Sequence, residues 1–243
     1  MDLIVVAKEP VPGRVKTRLC PPCSPTEAAT IAAAALADTL DAAVASGADR
    51  VVLALDGRPG AWCPPGVVVV GQGRGPLDRR LAHAWSAARG TALQVGMDTP
   101  QVSGAELRRA MAALDGDGVD AVLAPATDGG WWAVGLRRPR PDAFLGVPTS
   151  RPDTGARQAA RLAALGLRTR WLGAHTDIDT WPDAVAVAAT APATRTAAAV
   201  AAVTGAVSRL AGADAAGTAA AAGLRSAGVG VRGGRWFGRV VKP

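Results

Sequence analysis

Three cations at alternate positions, Arg14, Lys16 and Arg18, follow the proline- and glycine-broken stretch Glu9-Pro10-Val11-Pro12-Gly13. Converging guanidinium and ammonium groups suit phosphate oxygens, which they hold by short charge-assisted hydrogen bonds. Four carboxylates lie further along: Asp98 in Gly96-Met97-Asp98-Thr99-Pro100, Asp128 in Thr127-Asp128-Gly129-Gly130, and Asp177 and Asp179 in His175-Thr176-Asp177-Ile178-Asp179-Thr180. Carboxylates can bind a divalent cation, expected here to be Mg2+ or Mn2+. Neutralised phosphates, a bridging metal and in-line reactants are what nucleotidyl or phosphoryl transfer requires. Glycosyl transfer from a nucleotide sugar makes the same demand on its departing diphosphate, so the residue types leave both reactions open. Each residue also has a plain structural reading: a solvated basic loop for the cations, a turn aspartate for Asp98, a chain reversal for Asp128-Gly129-Gly130.

The elements that must position these residues follow from pattern. Leu3-Ile4-Val5-Val6 is short, apolar and β-branched, and Pro10, Pro12 and Gly13 forbid its continuation, so the basic loop leaves a buried strand at its carboxyl end. In open α/β sheets that is where ligands bind. Ser24-Pro25-Thr26-Glu27 starts a helix that runs to Ser46 and Gly47, and Arg50 to Leu55 is a second strand, giving a right-handed β-α-β unit. Val67 to Val70 is a third strand, followed by Gly71-Gln72-Gly73-Arg74-Gly75, whose glycines let the backbone approach a ligand. Gly13 and Gln72 therefore join Arg14, Lys16 and Arg18 as expected nucleotide contacts, although Gly-x-Gly-x-Gly is not a dinucleotide fingerprint. A helix over Leu77–Ala88 carries His83 as an ordinary surface residue. Thr91 to Met97 is a fourth strand that delivers Asp98 to the crevice, and Ser103-Gly104-Ala105-Glu106 begins the next helix. Asp120 to Ala126 and Trp131 to Leu136 are strands five and six; Trp131-Trp132 offers flat apolar area for a sugar or base. Asp128, Gly129, Gly130 and Trp131 are thus the expected acceptor side. Beyond them, residues 153–165 read as a helix and 167–172 as a strand, an extended segment places Asp177 and Asp179 on one side, and Thr180-Trp181-Pro182-Asp183 caps a last helix.

Composition narrows the partners. The chain has 243 residues and a formal net charge of +7. Six of those charges fall in residues 190–243, so the near-neutral body lacks the broad cationic face that nucleic-acid binding needs. The Ala/Gly/Arg-rich segment 204–243 is expected to be a flexible basic tail, and residues 1–203 a single nucleotide-binding domain. Cys20 and Cys23 form a Cys-x-x-Cys pair without a second pair or a nearby histidine, which argues against zinc. No apolar run is read as approaching the roughly 20 residues of a membrane span, and a cytoplasmic protein is expected.

Four segments together resemble the signature of the DUF2064 family of GT-A-like transferases: Glu9 to Leu19, Gly96 to Pro100, Pro125 to Gly130 and Asp177 to Thr180, in order across residues 1–203. The resemblance implies an α/β fold, a GT-A-like (Rossmann-like) three-layer α/β/α sandwich with a mostly parallel central sheet. Lys16-Thr17-Arg18-Leu19 is similar to the basic stretch of 2-phospholactate guanylyltransferases, which implies contact with a nucleoside triphosphate. Asp98 and Asp179 resemble the two metal-binding aspartates of sugar-activating cytidylyltransferases, with Asp177 as the other candidate for the second position. The chain departs from these patterns at Trp181, which looks inserted, and at Trp131-Trp132, where an aromatic pair led by tyrosine is usual. A GT-A glycosyltransferase carries Asp-x-Asp after the fourth strand, whereas Gly96-Met97-Asp98 offers one carboxylate. The expectation is therefore a nucleotidyltransferase in which Lys16, Asp98 and Asp128 carry catalysis, acting on a small phosphorylated or sugar-like acceptor and releasing pyrophosphate. A glycosyltransferase using an NDP-sugar is the alternative, and a non-catalytic nucleotide-binding protein the third reading.

Overall fold

The computed structural model describes residues 1–206 and Arg209, so the expected basic tail lies almost wholly outside the described residues. The fold itself is contained in residues 1–203. Its strands are β1 (Asp2–Lys8), β2 (Arg50–Asp56), β3 (Val68–Gly71), β4 (Ala92–Gly96), β5 (Ala121–Pro125), β6 (Trp131–Leu136) and β7 (Thr169–Trp171). Its helices are α1 (Pro25–Ala45), α2 (Leu77–Trp85), α3 (Gly104–Ala112), α4 (Thr154–Ala164) and α5 (Trp181–Thr190), and residues 195–203 are helical as well.

One sheet of order β3-β2-β1-β4-β6-β5-β7 organises the molecule. All neighbours are parallel except β6, which runs antiparallel to both β4 and β5. That reversal matters for the site. It brings the start of β6, at Trp131, to the same edge as the carboxyl ends of β1, β4 and β5. A register shift between Ala124 and Pro125 marks where β5 leaves the ladder to make the turn.

The strands β1, β2 and β4 are buried on both faces, which is why they read as continuous apolar runs. Leu3, Val5, Leu53 and Val95 point to one face, under Leu36 and Leu40 of α1 and Leu107 and Met111 of α3. Ile4, Val52 and Val134 point to the other, under Leu81 and Trp85 of α2 and Leu162 of α4, with Phe144 stacked on Trp85 at 5.3 Å. The result is the three-layer sandwich expected from the sequence. Helix α1 begins at a capping box: Glu27 N donates to Ser24 Oγ at 3.3 Å and Ser24 N to Glu27 Oε2 at 2.8 Å. Its 21 residues are long and apolar enough to cross a membrane, contrary to the sequence reading. The helix is instead covered on two sides, by the sheet and by a third cluster in which Ala28, Ile31 and Ala35 meet Leu19, Ile178, Val187 and Val200. Cys20, Cys23 and Cys63 are free thiols, and burial pushes Cys23 up to about 11, so it is inert as a nucleophile.

Candidate functional site

A cavity of about 360 Å3 opens at the carboxyl edge of the sheet. Lys8, Met97 and Asp98 form its floor, Gln72, Leu77, Arg80 and Leu81 one wall, and Gly130, Trp131, Ser150, Arg151 and Thr154 the other, with Asp128 and Asp177 between.

The basic loop is anchored by two buried side chains, Val15 and Leu19. Lys16 lies between them in a left-handed conformation, φ 49° and ψ 35°, which an L-residue holds only where its surroundings demand it. This backbone sends its side chain inward. Lys16 Nζ lies 2.6 Å from Asp98 Oδ1 and also donates to the carbonyl of Ile178. Arg14 and Arg18 are exposed, as is Gly13 at φ 74°. The Arg14 carbonyl accepts a bond of 3.2 Å from Lys8 Nζ, and Arg18 pairs with Asp179 outside the cavity. The structure thus brings Lys16 and Asp98 together, holds Arg18 with Asp179, and leaves Arg14 to solvent.

The loop carrying Asp177 is tied to the β4 end from both flanks. Ile178 N donates to Asp98 O at 2.8 Å, Gln101 Nε2 donates to Thr176 O at 2.6 Å, and His175, edge-on to Trp132, meets Glu106 Oε1 at 2.6 Å. Asp177 consequently faces the cavity with Asp98 and Asp128. Burial pushes its carboxyl up, the Asp128 and Asp98 charges push it further, and Lys16 only partly opposes them, so it titrates at about 6. Asp98 Oδ1 is itself buried, and its contact with Lys16 is an ion pair without hydrogen-bond geometry. Asp128 accepts from Gly130 N at 2.7 Å, an Asx turn that fixes one oxygen and leaves the other free.

These carboxylates fit a divalent cation in one sense. A buried oxygen with no hydrogen bond and a neighbour held partly protonated by negative charge are both relieved by added positive charge. Among the described residues, however, no three His, Cys, Asp or Glu side chains are grouped to hold an ion unaided. An ion here would complete its shell from water and ligand oxygens, the usual habit of Mg2+ at phosphate sites.

Gln72 is buried and fully engaged: its amide donates to Ala7 O at 2.6 Å and Ala54 O at 2.9 Å, and its Oε1 accepts from Arg80 Nε at 2.8 Å. It therefore acts by placing Arg80, whose guanidinium also reaches Asp56 at 3.1 Å. On the opposite wall Gly155 N donates to Gly129 O at 2.8 Å, and a Cβ on Gly129 would lie 1.9 Å from Pro152 O. Gly129 thus seats the 149–154 segment rather than lining the cavity. Of the two tryptophans, only Trp131 faces the cavity; Trp132 is buried on the other side of the sheet, its Nε1 donating to Gly173 O at 2.9 Å. Arg80 and Arg151 escaped sequence reasoning, and Lys8, the first cation of the basic stretch, is not among its expected contacts. Lys8 adjoins the basic loop and Arg80 sits one turn into a helix that follows the glycines, so both carried a signal; Arg151 belongs to no motif.

A profile of the family described as an uncharacterized protein conserved in bacteria (DUF2064) matches residues 30–151. Among solved structures, a "putative nucleotide-diphospho-sugar transferase" from Desulfovibrio desulfuricans G20 superposes with a TM-score of 0.72 at 23% identity, covering 82% of this chain and 93% of that one. A nucleotidyl transferase from Methanothermobacter thermautotroptrophicus has a TM-score of 0.52 at 20% identity, over 77% and 95% of the two chains. The 4-diphosphocytidyl-2C-methyl-D-erythritol synthase of Anaerococcus prevotii DSM 20548 has a TM-score of 0.50 at 12% identity, over 77% and 94%. At such identities the likeness is one of fold. No curated protein matches the chain.

Proposed function

This chain belongs to the DUF2064 family, and from that premise we propose that it is a cytoplasmic, metal-dependent nucleotidyltransferase acting on a nucleoside triphosphate and a small anionic acceptor. One observation carries the reading: a single carboxylate after β4, Asp98, faces Asp177 across the cavity with the Lys16 ammonium beside it. One carboxylate on each side, rather than two adjacent ones after β4, suits an ion shared with a triphosphate.

The nucleotide base and ribose fit the wall of Leu77, Leu81 and Arg80, with Gln72 as the brace behind Arg80. Lys8, which lines the cavity, and Lys16, beside it on Asp98, would meet the phosphates, with Arg14 and Arg18 reaching them from the exposed loop and the Gly13 turn allowing close approach. Asp98 and Asp177 would hold the divalent ion, since Asp179 is spent on Arg18. When bound, that ion supplies charge neutralisation at the phosphates. Asp128, Gly130 and Trp131, with Arg151, orient the acceptor. A phosphate or carboxylate oxygen of the acceptor attacks the α-phosphorus, the bond from that phosphorus to its β-bridging oxygen breaks, and pyrophosphate departs with its charge met by Lys16 and the loop arginines.

A second reading, glycosyl transfer from an NDP-sugar, is favoured by one feature, the Trp131 face in the cavity, and would make Asp128 the base for an acceptor hydroxyl. Calorimetric titration with the four nucleoside triphosphates and a panel of NDP-sugars, with and without Mg2+, separates the readings. Metal-dependent binding of one triphosphate, lost in Asp98→Asn, is expected. Preference for an intact NDP-sugar would replace the first reading by the second, and binding that ignores metal would leave a non-catalytic nucleotide-binding protein.

A further inference from the structure

We propose that Lys16 stands in for the divalent cation on Asp98 while the site is empty, so that the site takes the ion only as its complex with a nucleoside triphosphate; this rests on the nucleotide reading of the site. The Lys16 side chain is 12% exposed, and its ammonium has two partners among the described residues, Asp98 Oδ1 at 2.6 Å and the Ile178 carbonyl. The first is an ion pair away from ideal hydrogen-bond geometry, a contact that another cation can replace.

A free ion approaching Asp98 must displace this ammonium. Lys16 would then be left largely buried on one carbonyl, and uncompensated buried charge is costly. Nor does the protein offer the ion much in return, because no three ligating side chains are grouped among the described residues. A triphosphate changes both sides of the exchange. Its oxygens complete the ion's shell, and they give the Lys16 ammonium new partners as it leaves Asp98. The left-handed Lys16 backbone, pinned between buried Val15 and Leu19, keeps the side chain within reach of both positions. Because coupling between sites is reciprocal, nucleotide and ion must each raise the other's affinity by the same factor.

Free Mn2+ provides the probe, followed by its electron paramagnetic resonance signal in titrations of the full-length protein without nucleotide. Wild type is expected to bind Mn2+ weakly. Lys16→Met, which vacates Asp98, is expected to bind it about tenfold more tightly, within the range typical of coupled sites, and Lys16→Gln to fall between. The gain should vanish in Lys16→Met combined with Asp98→Asn. Mn2+ binding in both Lys16 variants no tighter than wild type would overturn the proposal, as would tight Mn2+ binding by the wild type alone. Failure of the nucleotide reading is distinguishable: the Lys16 variants would gain Mn2+ affinity while no triphosphate bound to wild type with or without metal. Thermal melts of both variants identify a substitution that fails to fold.

Discussion

Asp2 with Arg50 and Asp98 with Lys16 are carboxylate–cation pairs at opposite ends of one sheet, and they are built on opposite principles. Asp2 and Arg50 are register partners at the amino ends of β1 and β2, with side chains only 9% and 16% exposed. Every group there is answered. Arg50 donates to both oxygens of Asp2, Arg89 N adds a bond of 2.8 Å, and the Ala87 carbonyl accepts from the same guanidinium. Burial alone would push the Asp2 carboxyl up, yet these bonds and the Arg50 charge hold it below its usual value. At the carboxyl end Asp98 has a buried oxygen with no hydrogen bond, and Asp177 is pushed up to about 6. Buried charge by itself therefore says nothing about function. What separates the ends is that every group of one network is hydrogen-bonded, whereas at the other Asp98, Asp128 and Asp177 crowd together and Lys16 only partly offsets them, and a site awaiting a cationic or metal-bearing ligand has the second character.

The largest expected effect breaks the closed pair. Asp2→Asn leaves Arg50 buried without a counter-charge and should lower unfolding free energy by about 3 kcal/mol, read by urea denaturation near neutral pH. Asp98→Asn leaves the largely buried Lys16 on the Ile178 carbonyl alone, but Asp98 is itself partly exposed, so it should cost less, about 1–2 kcal/mol in the same assay. Equal losses would erase the distinction. The pH dependence has opposite signs at the two ends. The folded value of Asp2 lies below 3.8, so its contribution is present above that pH and disappears as pH falls through the folded value. For Asp177 the folded value is about 6 against 3.8. The folded state thus retains a proton that the unfolded chain has lost, and stability falls as pH rises between about 4 and 6. Asp177→Asn should accordingly stabilise the empty protein by about 1–2 kcal/mol at pH 8, after discounting for partial exposure, and by almost nothing at pH 4. The smallest effect belongs to the exposed Arg18–Asp179 pair. Arg18→Ala should shift stability by less than about 0.5 kcal/mol while weakening triphosphate binding several-fold, as measured by denaturation and calorimetry side by side.

Much of this edge of the sheet is legible in the sequence because its determinants are local. Pro10, Pro12 and Gly13 can only end β1, Ser24 with Glu27 can only open α1 where it does, and Thr180 with Asp183 forms the capping box that fixes the start of α5. The direction of β6 was foreshadowed by Asp128-Gly129-Gly130, and with it the arrival of Trp131 at the site. Long-range relations were not legible. Extended alternation places Asp177 and Asp179 on one side, but their fates divide on contacts with Asp98 and Arg18, more than 70 residues away. Gln72 looked like a ligand contact beside its glycines, whereas its amide is consumed by two strand carbonyls and Arg80. Arg151 and the left-handed Ser150 at φ 58° reach the cavity only because Gly129 accepts the close approach of Pro152 and Gly155. Hydropathy misjudged α1 for a related reason, since an alanine-rich helix buried on two sides has the composition of a span without being one.

The central claim is that the open end of the sheet, and not its closed end, is where metal and phosphate meet. Crystals grown with Mn2+ and the triphosphate that binds most tightly would test it by anomalous scattering at the manganese edge. The account predicts one strong peak between Asp98 and Asp177, with phosphate density reaching Lys16. A peak elsewhere, or ordered triphosphate density away from Lys16 and both carboxylates, would contradict it.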